Sequence, residues 1–323
     1  LRVGPESAGA MPGPACYGVG TEPTVTDAHV ALGHLGADTL LGGGFRIDPD
    51  RSVRAIERLA KKLSLSPRRT AEGILAVADV TMRRALMRIT GERAVDPASV
   101  PLVAYGGAGG LHAASLSAQL GMPGAWIPIH PGAFSALGLA LAGDSVESTV
   151  AVLQPWSERN ERSWRQQAKT LCREAAARLG GRGANAKARV LVRYRGQGGG
   201  LYLELGRRAL PSAFAQLHRE RFGFEAIDTP LELVQISARA ERKGRPLPPL
   251  SAADGGKIPP TARRRRAPLG GSPVRFLRRE DLPLRTRIEG PCILEEATAA
   301  TRLPASFAAT VTKFALQVHR SIY

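Results

Sequence analysis

Apolar residues recur through residues 50–65 at Val53, Ile56, Leu59 and Leu63, the three-and-four spacing of an amphipathic helix. Pro67 suits the first turn of a second helix. The apolar stripe of that helix runs through Ile74, Val77, Val80, Met82, Leu86 and Ile89 toward Gly91. The pattern then shortens. Residues 100–105 form a brief apolar run that fits a buried strand, and it enters the glycine cluster 106–110. Residues 111–120 read as a helix and 125–129 as another strand. A Pro131-Gly132 turn and a small-residue helix over 133–142 follow. Strand, glycine turn, helix, strand, helix is the alternation of an α/β layer fold.

Beyond residue 150 the pattern changes. A polar helix over 157–179 ends at Gly180-Gly181, as helices often do. Residues 188–194 and 201–205 predict two strands of a hairpin joined through the glycines at 198–200. A short helix is expected over 214–222. Residues 231–242 alternate as a half-buried strand, and several short β segments continue to Val318. A chain of 323 residues suits about two domains. The expectation is an α/β domain over 1–150 and an α+β domain over 151–323, with a flexible stretch across 244–271.

Composition sharpens this in four places. Hydrophobic residues make up 43% of the chain, enough for a globular core. The cysteines, Cys16, Cys172 and Cys292, form no Cys-x-x-Cys pair. Neither a disulfide framework nor a zinc ribbon is indicated, and a reducing cytoplasm is the expected setting. The longest apolar run, 133–142, is too short to cross a bilayer, so no membrane role is expected. The net charge of +17 raises the question of a nucleic-acid partner. Its arginines are scattered, however, with one dense run at 263–266 between Pro259-Pro260 and Pro268 that reads as a solvated linker. No RNP-type aromatic strand, zinc finger or recognition helix accompanies it, so nucleic acid is not expected as a partner.

Candidate chemistry concentrates in two glycine-rich segments. Residues 4–27 are too dense in glycine and proline for a helix or central strand, yet Cys16, Tyr17, Val25 and Asp27 are interleaved at fixed places. Such a loop in a compact domain is usually functional or disordered, and the interleaving favours function. Asp27, with Thr24, Thr26 and His29 around it, is a catalytic candidate: a carboxylate beside hydroxyls can polarise an amide or hold a metal-bound water. It can equally cap a helix starting near Ala28. Glu6 is the second catalytic candidate. Cys16, Asp27, His29 and His34 could converge on a metal, but their spacing matches no standard site, and a buried structural cysteine is the other reading. Ser7 lacks the preceding strand and first glycine of a nucleophile elbow. In the second segment, Gly106, Gly107, Ala108 and Gly109 would let backbone approach a ligand closely, ahead of a helix N-terminus. His112, one turn into that helix, faces either a cleft or the packed interior. From spacing alone a tight strand-to-helix turn that binds nothing is the favoured reading.

Several strings occur in a particular order: 4–27, 101–113 (Pro-Leu-Val-Ala-Tyr-Gly-Gly-Ala-Gly-Gly-Leu-His-Ala), 127–138, 193–197, 222–224 with 231–233, and 290–296 (Gly-Pro-Cys-Ile-Leu-Glu-Glu). Together they resemble the hydantoinase A/5-oxoprolinase family, which includes related ATP-dependent ketone carboxylase subunits, and the resemblance covers essentially the whole chain. It implies part of an actin-like (ribonuclease H-like) ATPase domain followed by an α+β domain. It also implies ATP and Mg²⁺ as cofactors, with Gly106, Gly107, Ala108, Gly109 and His112 on the adenosine side. The implied activity is opening of cyclic amides such as hydantoin or 5-oxoproline, in an oligomer with a hydantoinase B-type second subunit. The family's Asp-x-Gly-Gly-Thr-type phosphate loops do not occur in these 323 residues. The chain is therefore expected to be the C-terminal part of a longer protein and inactive alone. It departs from the family at Gly110 (commonly proline), Met11 (commonly acidic) and residues 298–301 (commonly Asp-Ser-Thr-Thr). A ketone carboxylase subunit and a non-catalytic scaffold are the alternatives.

Overall fold

A computed structural model describes residues 1–38, 44–93, 95–181, 183–205, 208–226, 229–244, 246 and 263–321. The chain divides into two compact units, Leu1–Leu137 with Pro249–Tyr323, and Gly138–Pro248.

In the first unit, three helices open the chain: α1 (Val25–Ala31), α2 (Pro49–Leu63) and α3 (Pro67–Glu92). Each starts at an oxygen-bearing cap, which satisfies backbone N–H groups that a first turn leaves without partners. Thr24 caps α1, Asp48 caps α2 and Ser66 caps α3, with Pro49 and Pro67 in the first turns. The apolar faces of the three helices meet in one cluster that includes Ala28, Ala31, Leu32, Ile56, Ala71 and Ile74. Next come β1 (Leu102–Val103), α4 (Gly109–Gln119), β2 (Ala125–Pro128) and α5 (Phe134–Leu141). The strand expected over 100–105 is only two residues long, bounded by Pro101 before it and, after Ala104 and Tyr105, by the glycine turn.

The second unit contains β3 (Ser145–Pro155), α6 (Glu158–Arg178), β4 (Asn185–Tyr194), β5 (Leu201–Glu204), α7 (Leu210–Phe222) and β6 (Leu231–Glu241). Its sheet, ordered β3-β6-β4-β5, is antiparallel throughout, and the expected hairpin pairs β4 with β5. Trp164 of α6 and Phe214 of α7 are buried with Val190, Val192, Leu233 and Ile236 of the strands. Arg193 Nε donates to Glu232 on the neighbouring strand at 2.6 Å, and the Tyr194 hydroxyl accepts from the Ala226 N–H. Strand β3 escaped sequence reading; its Val146, Val150 and Val152 alternate, but in a run too short on bulky residues to stand out.

The chain then returns to the first unit as β7 (Arg263–Arg265), β8 (Val274–Arg278), β9 (Arg287–Glu289), β10 (Cys292–Glu296), β11 (Ala299–Leu303), β12 (Phe307–Val311) and β13 (Ala315–Arg320). These form two sheets there, β1-β2-β13-β12-β9 and β11-β10-β8-β7. Strand β13 pairs antiparallel with β2, so the end of the chain completes the sheet begun near residue 102. The expectation placed everything after residue 150 in one domain, whereas residues 263–320 here pair into the sheets of the first unit. Local patterning shows a strand but not the sheet it joins. The arginine run at 263–266 also differs from the expected linker: residues 263–265 pair with β8, and Arg265 bonds Glu295 at 2.9 Å and Asp38 at 3.2 Å. Most of the stretch expected to be flexible (245 and 247–262) lies outside the described residues.

Ile236 is fully buried at the centre of the second unit's sheet. Ile236→Ala should lower stability by about 2–5 kcal/mol, the usual cost of truncating a buried aliphatic side chain. A shift of the denaturant midpoint is the measurement.

Candidate functional site

The loop over residues 4–24 has few backbone partners of its own, and Asp27 supplies them. The Asp27 side chain is 0% exposed. Its Oδ2 accepts from Ala15 N–H at 3.0 Å, Thr24 N–H at 2.9 Å and the Thr24 hydroxyl at 2.8 Å. Its Oδ1 accepts from Cys16 N–H at 2.9 Å and the Ser52 hydroxyl at 2.6 Å. In return Thr24 Oγ1 accepts from Asp27 N–H, completing a capping box. Helix α1 thus starts at Val25 rather than near Ala28, and Asp27 sits at its third position. With five donors on two oxygens and no solvent exposure, Asp27 is a tie between the loop, α1 and α2, not a group open to a substrate. Cys16 is buried beside it; burial, then the nearby carboxylate, push its thiol up to about 12. Glu6 lies exposed in the same loop, and no hydrogen bond or ion pair to its side chain is found among the described residues.

The second glycine segment sits at the mouth of α4. Gly106 has φ +87°, a conformation that favours glycine, and its N–H donates to Pro131 O. Gly110 is needed for a different reason. A Cβ there would lie 2.5 Å from Thr301 Oγ1 and 2.7 Å from Ala300 O, so α4 can approach β11 only without one. Gly107 and Ala108 are exposed, Tyr105 beside them is 52% exposed, and Ala108 offers no side-chain cap to α4. The turn is therefore packed on its β11 side and open on the other, with uncapped N–H groups at the start of α4.

His112 does not face that opening. It is buried, and it joins a chain of side chains that sequence spacing did not reveal. His112 Nδ1 lies 2.6 Å from Asp79 Oδ1, whose other oxygen accepts from the Ser115 hydroxyl at 2.6 Å. His112 Nε2 lies 3.1 Å from His29 Nε2, and His29 Nδ1 lies 3.0 Å from His34 Nδ1. Burial, then the neighbouring His34 and His112 and the charge of Arg302, hold His29 well below the usual imidazole range. Burial, then Arg302, His112 and Arg68, bring His34 down to about 3. One assignment of the ring protons satisfies every contact. His112 Nδ1–H donates to Asp79, His29 Nε2–H donates to His112, and His34 Nδ1–H donates to His29. His29 and His34 thus converge, but on His112 rather than on Cys16 and Asp27. Among the described residues no group of three or more His, Cys, Asp or Glu side chains is placed to hold a metal ion, and no helix is long and apolar enough to cross a membrane.

Residues 1–147 match the family model described as Hydantoinase/oxoprolinase. The chain is 31% identical over 337 residues to the caprolactamase subunit alpha of Pseudomonas jessenii, across 94% of this chain and 47% of that protein. It is 42% identical over 122 residues to the acetophenone carboxylase gamma subunit of Aromatoleum aromaticum, across 37% of this chain and 17% of that one. Its structure resembles the crystal structure of the ATP-dependent caprolactamase from Pseudomonas jessenii with a TM-score of 0.80 and 27% identity, over 100% of this chain and 50% of that chain. The chain belongs to the hydantoinase/oxoprolinase family, whose relatives include ATP-dependent amide hydrolases and ketone carboxylases. The mixed helix-and-sheet fold expected from the resemblance is the one observed. The chain spans about half the length of the caprolactamase subunit it matches.

Asp27→Asn replaces an acceptor-only group with one that presents N–H to N–H, and should cost about 2–3 kcal/mol of stability in equilibrium denaturation. Because the Cys16 thiol is buried and its pKa raised, Ellman's reagent should leave Cys16 unmodified in the folded chain and label it on denaturation. A third expectation concerns pH. Unfolded His34 takes up a proton near 6.5, while folded His34 stays neutral down to about 3. The unfolded state therefore binds more protons between these values, and stability should fall as pH drops through that window. The slope is at most about 1.4 kcal/mol per pH unit for each such histidine. Denaturation midpoints measured between about pH 7 and about pH 5 should show this slope, and a His29→Gln/His34→Gln double variant should be flatter.

Proposed function

We propose that this chain is part of an ATP-dependent enzyme that opens cyclic amides, with hydantoin, 5-oxoproline or a larger lactam as the substrate class. The observation that carries this reading is the half-open glycine turn at Gly106–Gly109 ahead of an uncapped helix, in a chain similar along its whole length to an ATP-dependent caprolactamase. The fit to a nucleotide is partial. Gly107 and Ala108 offer exposed backbone, and the start of α4 at Gly109 offers uncapped N–H groups, to a ribose or ring edge, while Gly106 shapes the turn. His112 is too deeply engaged with Asp79 and His29 to contribute directly, and supports α4 from behind. No acidic cluster among the described residues suits Mg²⁺. In this reading the phosphates and the metal are held by segments corresponding to the remainder of the longer relatives.

ATP would supply a phosphoryl group for the amide oxygen, making a poor electrophile open to water. Asp27 is a positioning residue here, keeping residues 4–24 folded against α1 and α2. Exposed Glu6 in that loop is the remaining candidate for contact with substrate. A hydantoinase B-type second subunit completes the assembly, in keeping with relatives that are themselves named as subunits, and the cytoplasm is its setting. The carboxylase alternative rests on the higher identity to the acetophenone carboxylase subunit over a shorter stretch.

The test is ATP consumption by the chain assembled with the second subunit, supplied with hydantoin, 5-oxoproline, a larger lactam, or bicarbonate plus a ketone. Lactam-dependent turnover is expected; ketone-dependent turnover would establish the carboxylase instead. Ala108→Asp places a carboxylate at the exposed turn, where a helix start tolerates it. It should keep the fold and weaken ATP binding about tenfold or more. Unchanged ATP affinity in that variant would remove the turn from the nucleotide site.

A further inference from the structure

A separate cavity of about 200 Å³ opens in the first unit, between the end of α1, the start of α3 and strand β11. Its polar lining is formed by His34, Arg68, Ser272 and Arg302, and no acidic side chain borders it. None of its lining residues belongs to the glycine turn or to α4. We propose that this cavity binds a small oxyanion, of the phosphate or carboxylate type, held chiefly by the Arg302 and Arg68 guanidiniums.

Three observations support the site. First, Arg302 is half-buried on β11, yet its guanidinium makes no hydrogen bond or ion pair among the described residues. Asp79 and Glu72 act on it only from beyond salt-bridge distance, and burial is the larger influence, lowering its pKa. A guanidinium removed from water without a close counter-charge is costly, and an anion in the cavity would offset that cost. Second, Arg68 is already oriented: Nη1 donates to Gly270 O at 2.9 Å and Nε to Glu72 Oε1 at 3.1 Å, so its remaining N–H groups are held in place beside the cavity. The planar fork of an arginine matches two oxygens of a carboxylate or phosphate. Third, His34 borders the cavity with Nδ1 committed to His29, leaving Nε2 as its free ring nitrogen. The charges of Arg302 and Arg68 are among the causes that keep His34 neutral, so the cavity has a net positive field. In the proton assignment above His34 Nε2 carries no proton, so it would accept from a hydroxyl of a hydrogen phosphate rather than donate to the anion.

This inference does not depend on the nucleotide reading, because the two sites share no residue. The test is calorimetric titration of the full chain with inorganic phosphate and, separately, with acetate, in low-chloride buffer. At least one should bind saturably with Kd at or below about 10 mM. Phosphate alone would assign a phosphoryl-type ligand, and acetate alone a carboxylate. Arg302→Gln should weaken binding about tenfold or more, and Arg302→Lys less, since a lysine keeps the charge but not the fork. Ser272→Asp, at an exposed rim position whose side chain makes no hydrogen bond among the described residues, should weaken it through repulsion. Absence of saturable binding for both anions would overturn the site, as would wild-type affinity in either Arg302→Gln or Ser272→Asp.

Discussion

A single buried carboxylate holds the opening of this chain together. Residues 4–24 are too rich in glycine and proline to satisfy their backbone in a helix or ladder, and buried N–H groups without partners are costly. Asp27 answers that need by accepting from Ala15, Cys16, Thr24 and Ser52 at once. Arg51 adds a second tie from α2, donating to Ala15 O and Gly20 O. The loop is irregular in shape but fixed in position, and α1 leaves it in the direction that carries His29 and His34 inward.

Helix α4 is the second organising element, and it works on three sides. Its start is open and uncapped. One flank approaches β11 so closely that only glycine fits at residue 110. Its inner face brings His112 and Ser115 to Asp79 of α3. Through His112 the line of hydrogen bonds reaches α1 and then His34 at the edge of the cavity bordered by Arg302. The exposed turn and the arginine-lined cavity are therefore tied to one framework of α1, α3, α4 and β11. A change in the packing of α4 would be felt at both.

The helices were largely legible in the sequence because their signals are local. The stripes of α2 and α3, Pro49 and Pro67 in their first turns, and the hairpin of β4 and β5 all depend on residues within one or two turns of each other. The family resemblance was legible for the same reason, since its motifs are short strings in a fixed order. Of the candidate site residues, Asp27 was read as either catalytic or capping, and the bonds it makes include those of a capping box. His112 was assigned to a ligand but belongs to the interior. Arg302, Arg68, Asp79 and Ser115 carried no mark at all, each standing in an unremarkable stretch of helix or strand.

The sequence by itself determined the apolar stripes of α2 and α3, the hairpin of β4 and β5, which family the chain resembles, and that residues 4–24 could not be ordinary helix or strand. Only the tertiary structure decided that the last seven strands return to the first unit, because pairing partners nearly two hundred residues apart leave no trace in local periodicity. It alone brought residues 29, 34, 79 and 112 into one hydrogen-bonded line and set Arg302 at its end. Those contacts arise from the packing of three helices against a sheet, and hydrogen bonds a few ångströms long can be read only once that packing is known.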